Sequence, residues 1–311
     1  MSNLFWPIYK NLENELMSMT YQIHFDDQQL DVYSEKFIDL LLRTSIEIET
    51  LSKQLYLDNG GESVEPESEM FFDTVCLKYL DEKWKLSKKQ VTITGLNFFF
   101  ENKENRVLIP LHKAHKRGTS GSRWKQAYQA VKHNRNKNYH LGNMKNCIVA
   151  MAALYVLNLY YKEKDTKLLC GSFRSRLSID ENFGSQIFTP SKSYVSFQEP
   201  TGLYNQEQYE KDIFIEVFDN ETYNRILKQR IEDFEKEKKF LVESSELPTF
   251  LKDNPDYDLH GKSTFEIACR LGDDFLKKYR ELPRNADWTI LSSQLYCILN
   301  CDQAIYTKEA Q

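Results

Sequence analysis

One 18-residue segment, from Met144 to Tyr161, constrains the fold more than any other part of the chain. It reads MKNCIVAMAALYVLNLYY and carries apolar side chains at nearly every position around a helix. A helix that is apolar on all sides has to be enclosed by protein, so this segment predicts the central helix of a bundle. Its length and its polar interruptions argue against a membrane span.

A second helix is predicted from Tyr33 to Leu57, because its apolar residues recur with the period of 3.6 residues. Glu47 lies at the edge of the apolar sector, so its carboxylate is placed to point into a cleft between packed helices. Glu49 and Lys53 fall on the polar side, and we expect them to face water.

The remaining patterns predict mostly helices, with a few strands. Two apolar runs within residues 88–112 flank the polar ENKEN and indicate an inserted β-hairpin. The run DIFIEVF, residues 212–218, predicts a strand, and Ser263 with Glu266 forms a capping-box pattern. Further helices are expected at residues 71–86, 124–133, 220–243, 263–279 and 288–301. The fold class is therefore mainly α, with a helical domain over residues 1–164 and an acidic region of helices and strands over residues 165–311.

Cysteine usage and the N-terminal sequence indicate a cytoplasmic protein. The six cysteines are scattered and lack the paired spacing of a zinc site, so we expect buried thiols and no metal. Cys297 and Cys301 would lie four apart on the last predicted helix. Neither a signal peptide nor a membrane-spanning segment is recognisable.

Charge is distributed very unevenly along the chain. The net charge is −5, yet no Asp or Glu occurs between Glu104 and Glu163, where Lys and Arg supply eleven positive charges. The rest of the chain therefore carries about −16. Such an acid-free stretch indicates phosphate binding, and RNA is the expected partner.

Four of the six histidines fall in the acid-free stretch. Histidine transfers protons near neutral pH, and beside arginine or lysine it can act on a phosphodiester without a metal. Magnesium is disfavoured because hard cations require oxygen ligands. The segment GTSGS, residues 118–122, favours a mobile loop, and the alternative is a phosphate cradle built from its amides.

The run WKQAYQAVKHNRNKNYHLGNMKNCIVAMAALYVLNLY resembles the motif region of HEPN-domain proteins. In that family an arginine is followed, four to six residues later, by a histidine at the start of the last long helix of a bundle. Arg135 and His140 satisfy this pattern, and a polar residue, Asn136, follows the arginine. The neighbouring lysine and asparagine residues resemble a bacterial subgroup associated with abortive infection. The resemblance covers about Tyr33 to Lys162.

The resemblance implies a HEPN-like bundle and a metal-independent ribonuclease without a cofactor. The 2′-hydroxyl of RNA would attack the adjacent phosphate and leave a cyclic phosphate. His140 would exchange protons with the attacking or leaving oxygen, and Arg135 would stabilise the charged phosphorane. Glu47 would orient Arg135. The expected substrate-binding residues are Lys132, His133, Asn136, Lys137 and Asn143.

Residues five apart on a regular helix point about 140° away from each other, so one helix cannot aim Arg135 and His140 at the same atom. Gly142 and Asn143 indicate that the long helix begins only there. Residues 135–141 would then form a turn that folds both groups into one cleft. In the family two protomers pair across this motif, so we expect a homodimer with a composite site.

Three functions fit these patterns. The first is a toxin or antiphage ribonuclease of the abortive-infection type, restrained by an antitoxin or another regulatory protein. The second is an inactive HEPN-like protein that binds RNA or a nucleotide as a sensor or scaffold, with the acidic C-terminal half contacting a partner. The third is an interaction protein whose basic stretch binds an acidic neighbour. In the ribonuclease, the acidic C-terminal half could mask the basic stretch in cis.

Overall fold

The computed structural model describes residues 4–63, 70–161, 165–166, 183–194, 206–218, 220–285 and 295–301. These residues form two compact units. Within the described ranges the first unit takes residues 4–166, 183–217 and 296–301, and the second takes residues 218–285 and residue 295. The described chain is mainly helical, which confirms the mainly α class.

The secondary structure is as follows. The described α-helices are α1 (Phe5–Met19), α2 (Glu35–Asp58), α3 (Lys78–Trp84), α4 (Lys103–Arg106), α5 (Arg123–His133), α6 (Arg135–Asn138), α7 (Met144–Tyr161), α8 (Gln206–Lys211), α9 (Asn220–Val242), α10 (Glu246–Asp253), α11 (Thr264–Arg270) and α12 (Asp273–Arg280). A π-helix, Phe72–Leu77, precedes α3. The described strands are β1 (Phe25–Asp26), β2 (Val91–Ile93), β3 (Phe98–Phe99), β4 (Val107–Leu108), β5 (Asp165–Thr166), β6 (Phe188–Pro190), β7 (Lys192–Tyr194), β8 (Phe214–Phe218) and β9 (Leu295–Leu299).

The core of the first unit is built around α7, which has the predicted bounds. Its side chains are buried on every face; Ala150 and Tyr155, for example, are both 0% exposed. Helices α1, α2 and α5 pack around it, and α2 makes the most extensive contact. The N-terminus of α2 is capped by Ser34, whose hydroxyl accepts a hydrogen bond of 3.3 Å from the amide of Phe37. Enclosure by helices is the reason that α7 tolerates so few polar residues.

The predicted hairpin is part of a larger sheet. β2 and β4 pair antiparallel as expected, but β2 also pairs with β6, giving the strand order β4-β2-β6. β3 pairs instead with β1, and the polar ENKEN segment includes α4. Strands that follow residue 164 therefore belong to the first unit, which differs from the predicted domain boundary. The free edge of β2 needs a partner, and the chain supplies it about 100 residues later.

The end of the chain contradicts one prediction. Residues 295–299 form β9, in a sheet with the order β5-β9-β8-β7, where a helix over 288–301 was predicted; residues 288–294 lie outside the described ranges. Cys297 is therefore on a strand and does not share a helix face with Cys301. Because this apolar run is short, its periodicity does not distinguish a helix from a strand. Antiparallel pairing with β5 makes it a strand. The predicted strand before Asn220 is confirmed as β8.

The second unit packs α9–α12 around an apolar core that includes Leu241, Ile267 and Phe275. The predicted capping box is present at Ser263, which starts α11. The predicted continuous helix to residue 279 is interrupted at Gly272, whose φ of +105° is not compatible with a helix. No helix in the described ranges has the length and apolar character needed to cross a membrane.

The cysteines are only partly as expected. Cys76 and Cys147 are buried, which confirms the prediction for them. Cys269 is exposed because α11 lies at the surface of the second unit with this side outwards. Cys301 is half-buried, and Cys170 lies outside the described ranges.

Candidate functional site

The chain between α5 and α7, residues 134–143, is called the motif turn. It contains α6 and a single 3₁₀ turn, and the long helix begins only at Met144, as predicted. Asn134 starts it by accepting a 3.3 Å hydrogen bond from the amide of Lys137. The Asn138 side chain donates to the carbonyl oxygen of Ala130 at 2.9 Å, which folds the turn back onto the end of α5.

The other end of the motif turn is fixed to the start of α2. Gly142 is buried so closely against Ile38 that a Cβ atom would come within 2.1 Å of the Ile38 Cγ1. The amide of Met144 donates to the carbonyl of Val32 at 2.9 Å. Only glycine fits at position 142, and its presence sets the path of the turn.

Arg135 and His140 are both exposed on the motif turn. Within the described chain, neither side chain forms a hydrogen bond or an ion pair. The structure thus brings the two residues of the predicted pattern onto one short, solvent-facing segment. A guanidinium and an imidazole in this state are available to an incoming phosphodiester.

Tyr139 connects the motif turn with a carboxylate. Partial burial raises the pKa of the Tyr139 phenol, a hydrogen bond with Glu35 raises it further, and the positive charge of Arg135 opposes the rise. The Tyr139 ring also meets the ring of Tyr33 edge-on, with centroids 5.9 Å apart. The acidic side chain that α2 contributes here is therefore Glu35, its first residue.

Glu47 is not placed as predicted. On α2 it lies about 40° around the axis from Arg43 and about 160° from Glu49. Arg43 binds Glu15 of α1, whereas Glu49 bonds to Tyr128 of α5. Glu47 therefore lies on the α1 side, away from the motif turn, and burial raises the pKa of its carboxyl. The sequence correctly places Glu47 at an edge of the apolar face of α2. That face has two edges, one beside α1 and one beside α5, and the sequence pattern does not distinguish them.

The predicted substrate-binding residues divide into two groups. His133, Asn136 and Lys137 are exposed, and Lys132 holds its Nζ 3.2 Å from the Tyr128 hydroxyl. Asn143 has a structural role instead, because its Oδ1 accepts a 3.0 Å hydrogen bond from the amide of Asn146 and so caps α7.

A cleft of about 650 Å³ adjoins the end of α5. We call it the α2–α5 cleft. Its wall includes the half-exposed Glu49 and Lys53 of α2, and Lys132 and His133 of α5 also line it. The sequence shows that these two α2 side chains share a polar face. The residues on the other side of the cleft are distant from α2 in sequence, so no local pattern predicts the cleft.

A buried ion network forms one wall of the cleft. Asp73, in the π-helix, accepts hydrogen bonds from Arg117 at 2.9–3.1 Å and from the Lys125 ammonium at 3.1 Å. Burial alone would raise the pKa of the Asp73 carboxyl, but these bonds outweigh it and lower the pKa. The Arg117 guanidinium lies 4.1 Å from the ring centre of Phe71. The network holds a half-exposed guanidinium over an aromatic face at the cleft.

These residues were missed as a group by the sequence analysis. Arg117 and Lys125 were counted only as charges of the basic stretch, and Asp73 is 44 and 52 residues away from them. No local spacing connects partners at such distances. Comparisons of the chain with protein-family models, with curated proteins and with solved structures gave no match.

Proposed function

We propose that this protein is a metal-independent ribonuclease of the HEPN type that cleaves RNA at the motif turn. The observation that carries the proposal is the exposure of Arg135 and His140 on one turn between two helices, without an ion pair to any described residue. The exposed cations beside them, including Lys137, favour a polyanionic substrate.

In the proposed reaction the 2′-oxygen of RNA attacks the adjacent phosphorus, and the bond from phosphorus to the 5′-oxygen breaks. A histidine takes the proton of the 2′-hydroxyl, and an acid returns a proton to the leaving oxygen. Arg135 binds two oxygens of the phosphorane side by side. A homodimer would bring two motif turns together, so that one His140 acts as the base and the other as the acid.

Glu35 takes the role that the sequence analysis gave to Glu47. Its carboxylate meets the Tyr139 hydroxyl, and Tyr139 is close enough to Arg135 for its pKa to be affected by the guanidinium charge. Glu35 and Tyr139 are thus proposed as positioning residues for Arg135. The proposed biological setting is a cytoplasmic toxin or antiphage effector that an antitoxin or regulatory protein restrains.

The test is incubation of purified protein with RNA in EDTA, comparing wild type with Arg135→Ala and His140→Ala. Each variant should lose at least about 100-fold in rate, because each removes a group that acts in the transition state. Arg280→Ala and His260→Ala are matched controls, since both residues are exposed in the second unit. The product should carry a 2′,3′-cyclic phosphate, visible by mass spectrometry. Cleavage that survives either motif substitution would refute the assignment.

A second candidate function is RNA or nucleotide binding without cleavage, as a sensor or scaffold. It is favoured by the position of Glu47, a predicted site residue that lies on the α1 side of α2, away from the motif turn. In that case wild type binds RNA with an affinity that falls steeply with salt, and no cyclic phosphate is formed.

A further inference from the structure

A second pocket, of about 420 Å³, lies at the N-terminus of α5. We call it the α5 pocket. Its lining includes Ile109, Pro110, His112 and Lys113, residues 119–124 and the first turns of α7. Neither Arg135 nor His140 is among its lining residues, so it is separate from the proposed catalytic groups.

The α5 pocket is strongly cationic. Four of its lining side chains are basic, and none of its described lining residues is Asp or Glu; the basic ones are His112, Lys113, Arg123 and Lys145. The first turn of α5 also lacks an acidic residue. Both the side chains and the helix dipole therefore attract an anion to the same place.

Ser122 supplies an independent observation. It occupies the N-cap position of α5, yet its side chain accepts no capping hydrogen bond. The residue is only 9% exposed, and its Oγ has no hydrogen-bond partner in the described part of the chain. A buried hydroxyl and the uncapped amides of a first helical turn are both left without partners here.

We infer that the α5 pocket binds a phosphate group. The Ser122 hydroxyl and the first-turn amides of α5 would bond its oxygens, and Arg123, Lys113 and Lys145 would balance its charge. A phosphate offers several strong acceptors and up to two negative charges, which matches this set of donors better than a single carboxylate does. The inference stands without RNA cleavage. If the proposed ribonuclease is also correct, this phosphate belongs to the same RNA.

The decisive variant is Ser122→Asp. Aspartate is a favourable N-cap, so α5 should remain folded, while its negative charge occupies the position of the anion. Inorganic phosphate should bind wild type in calorimetry and bind Ser122→Asp at least 10-fold more weakly, at an unchanged or higher thermal midpoint. Lys103→Gln is the control, because this exposed lysine of the same region does not line the pocket. Equal phosphate affinity in wild type and Ser122→Asp, or no phosphate binding by wild type, would overturn the inference.

Two RNA oligonucleotides, one with a 5′-phosphate and one with a 5′-hydroxyl, identify the source of the phosphate. If Ser122→Asp weakens binding only of the 5′-phosphorylated oligonucleotide, the pocket holds a terminal phosphate. If binding of the 5′-hydroxyl oligonucleotide falls equally, it holds an internal one. Unchanged binding of both oligonucleotides, with unchanged phosphate binding, counts against the site. The ribonuclease proposal fails on a different measurement: it is wrong if wild-type protein binds phosphate but does not cleave RNA in EDTA.

Discussion

The buried network beside the α2–α5 cleft makes a quantitative prediction about Asp73. Asp73 is 5% exposed and Lys125 is 4% exposed, so the ammonium depends on this carboxylate for charge compensation. In Asp73→Asn the shape is nearly kept and the negative charge is lost. We therefore expect a large loss of stability from a nearly isosteric change.

The magnitude follows from the remaining partners. Removing one member of a buried ion pair costs about 3–5 kcal/mol, because the other charge is left in a poorly solvated site. Lys125 would keep its bonds to the carbonyls of Ala114 and Lys116. Arg117 is half exposed and can turn to water. These two factors place the expected loss near the lower limit, at about 3 kcal/mol.

The assay is urea unfolding at neutral pH, with Asp39→Asn as the matched control. Asp39 also accepts a hydrogen bond from an arginine, Arg43, at 3.0 Å, but its side chain is 64% exposed. Its removal should cost at most about 1 kcal/mol. In the double variant Asp73→Asn with Lys125→Met the buried ammonium of this network is gone, so at least about 1 kcal/mol should be regained relative to additivity.

The pH dependence provides a second check. The pKa of Asp73 is lowered in the folded state, so its contribution is present above the unfolded value of about 3.9 and is lost as pH falls through the folded value. The stability difference between wild type and Asp73→Asn should shrink over that acidic range. If Asp73→Asn costs no more than Asp39→Asn, and the double variant shows no recovery, the reasoning about uncompensated charge is refuted.

Three further predictions concern the motif turn and a buried lysine. Glu35→Gln should slow RNA cleavage, whereas Glu47→Gln should leave the rate within about twofold of wild type, and equal effects would contradict the assignment of Glu35. Gly142→Ala should cost about 1–3 kcal/mol in urea unfolding, because the methyl group meets Ile38; a loss below about 0.5 kcal/mol would count against that contact. Burial lowers the pKa of Lys89 to about 8, below the unfolded lysine pKa of about 10.4. As pH rises from 8 towards 10.4, the free energy of unfolding of wild type should therefore increase by up to about 3 kcal/mol relative to Lys89→Met. A difference between the two proteins that stays constant with pH would be inconsistent with burial.

Local periodicity was sufficient to predict α2, α5 and α7, but the sequence analysis gave no prediction for α1, the other helix that packs on α7. The bounds of α7 are those predicted, and α2 and α5 differ from their predicted bounds by no more than two residues. Each carries its apolar pattern within a single segment, so no knowledge of distant partners is needed. β9 is the opposite case, since an apolar run of this length takes the structure that its neighbouring strands impose.

The candidate site was predictable only in part, for the same reason. The sequence places Arg135 and His140 on a turn before a buried helix, because Gly142 and the apolar run mark where that helix starts. It cannot select Glu35 over Glu47, since the choice depends on which side of α2 meets α1. The partners of Asp73 and the contact between Gly142 and Ile38 arise from tertiary packing and leave no local signal.

The cations of the acid-free stretch are not equally available to a phosphate. Arg117 and Lys125 are committed to Asp73, and Lys132 to the Tyr128 hydroxyl. Arg123 is the first residue of α5 and Arg135 follows its last residue by two positions; both are exposed. α5 has 11 residues, so its ends are about 16 Å apart, a distance that two or three nucleotides of an extended single strand can span. A strand held by its phosphate at the α5 pocket would thus reach the motif turn, so the two proposals together would couple affinity at one end of this helix to cleavage at the other.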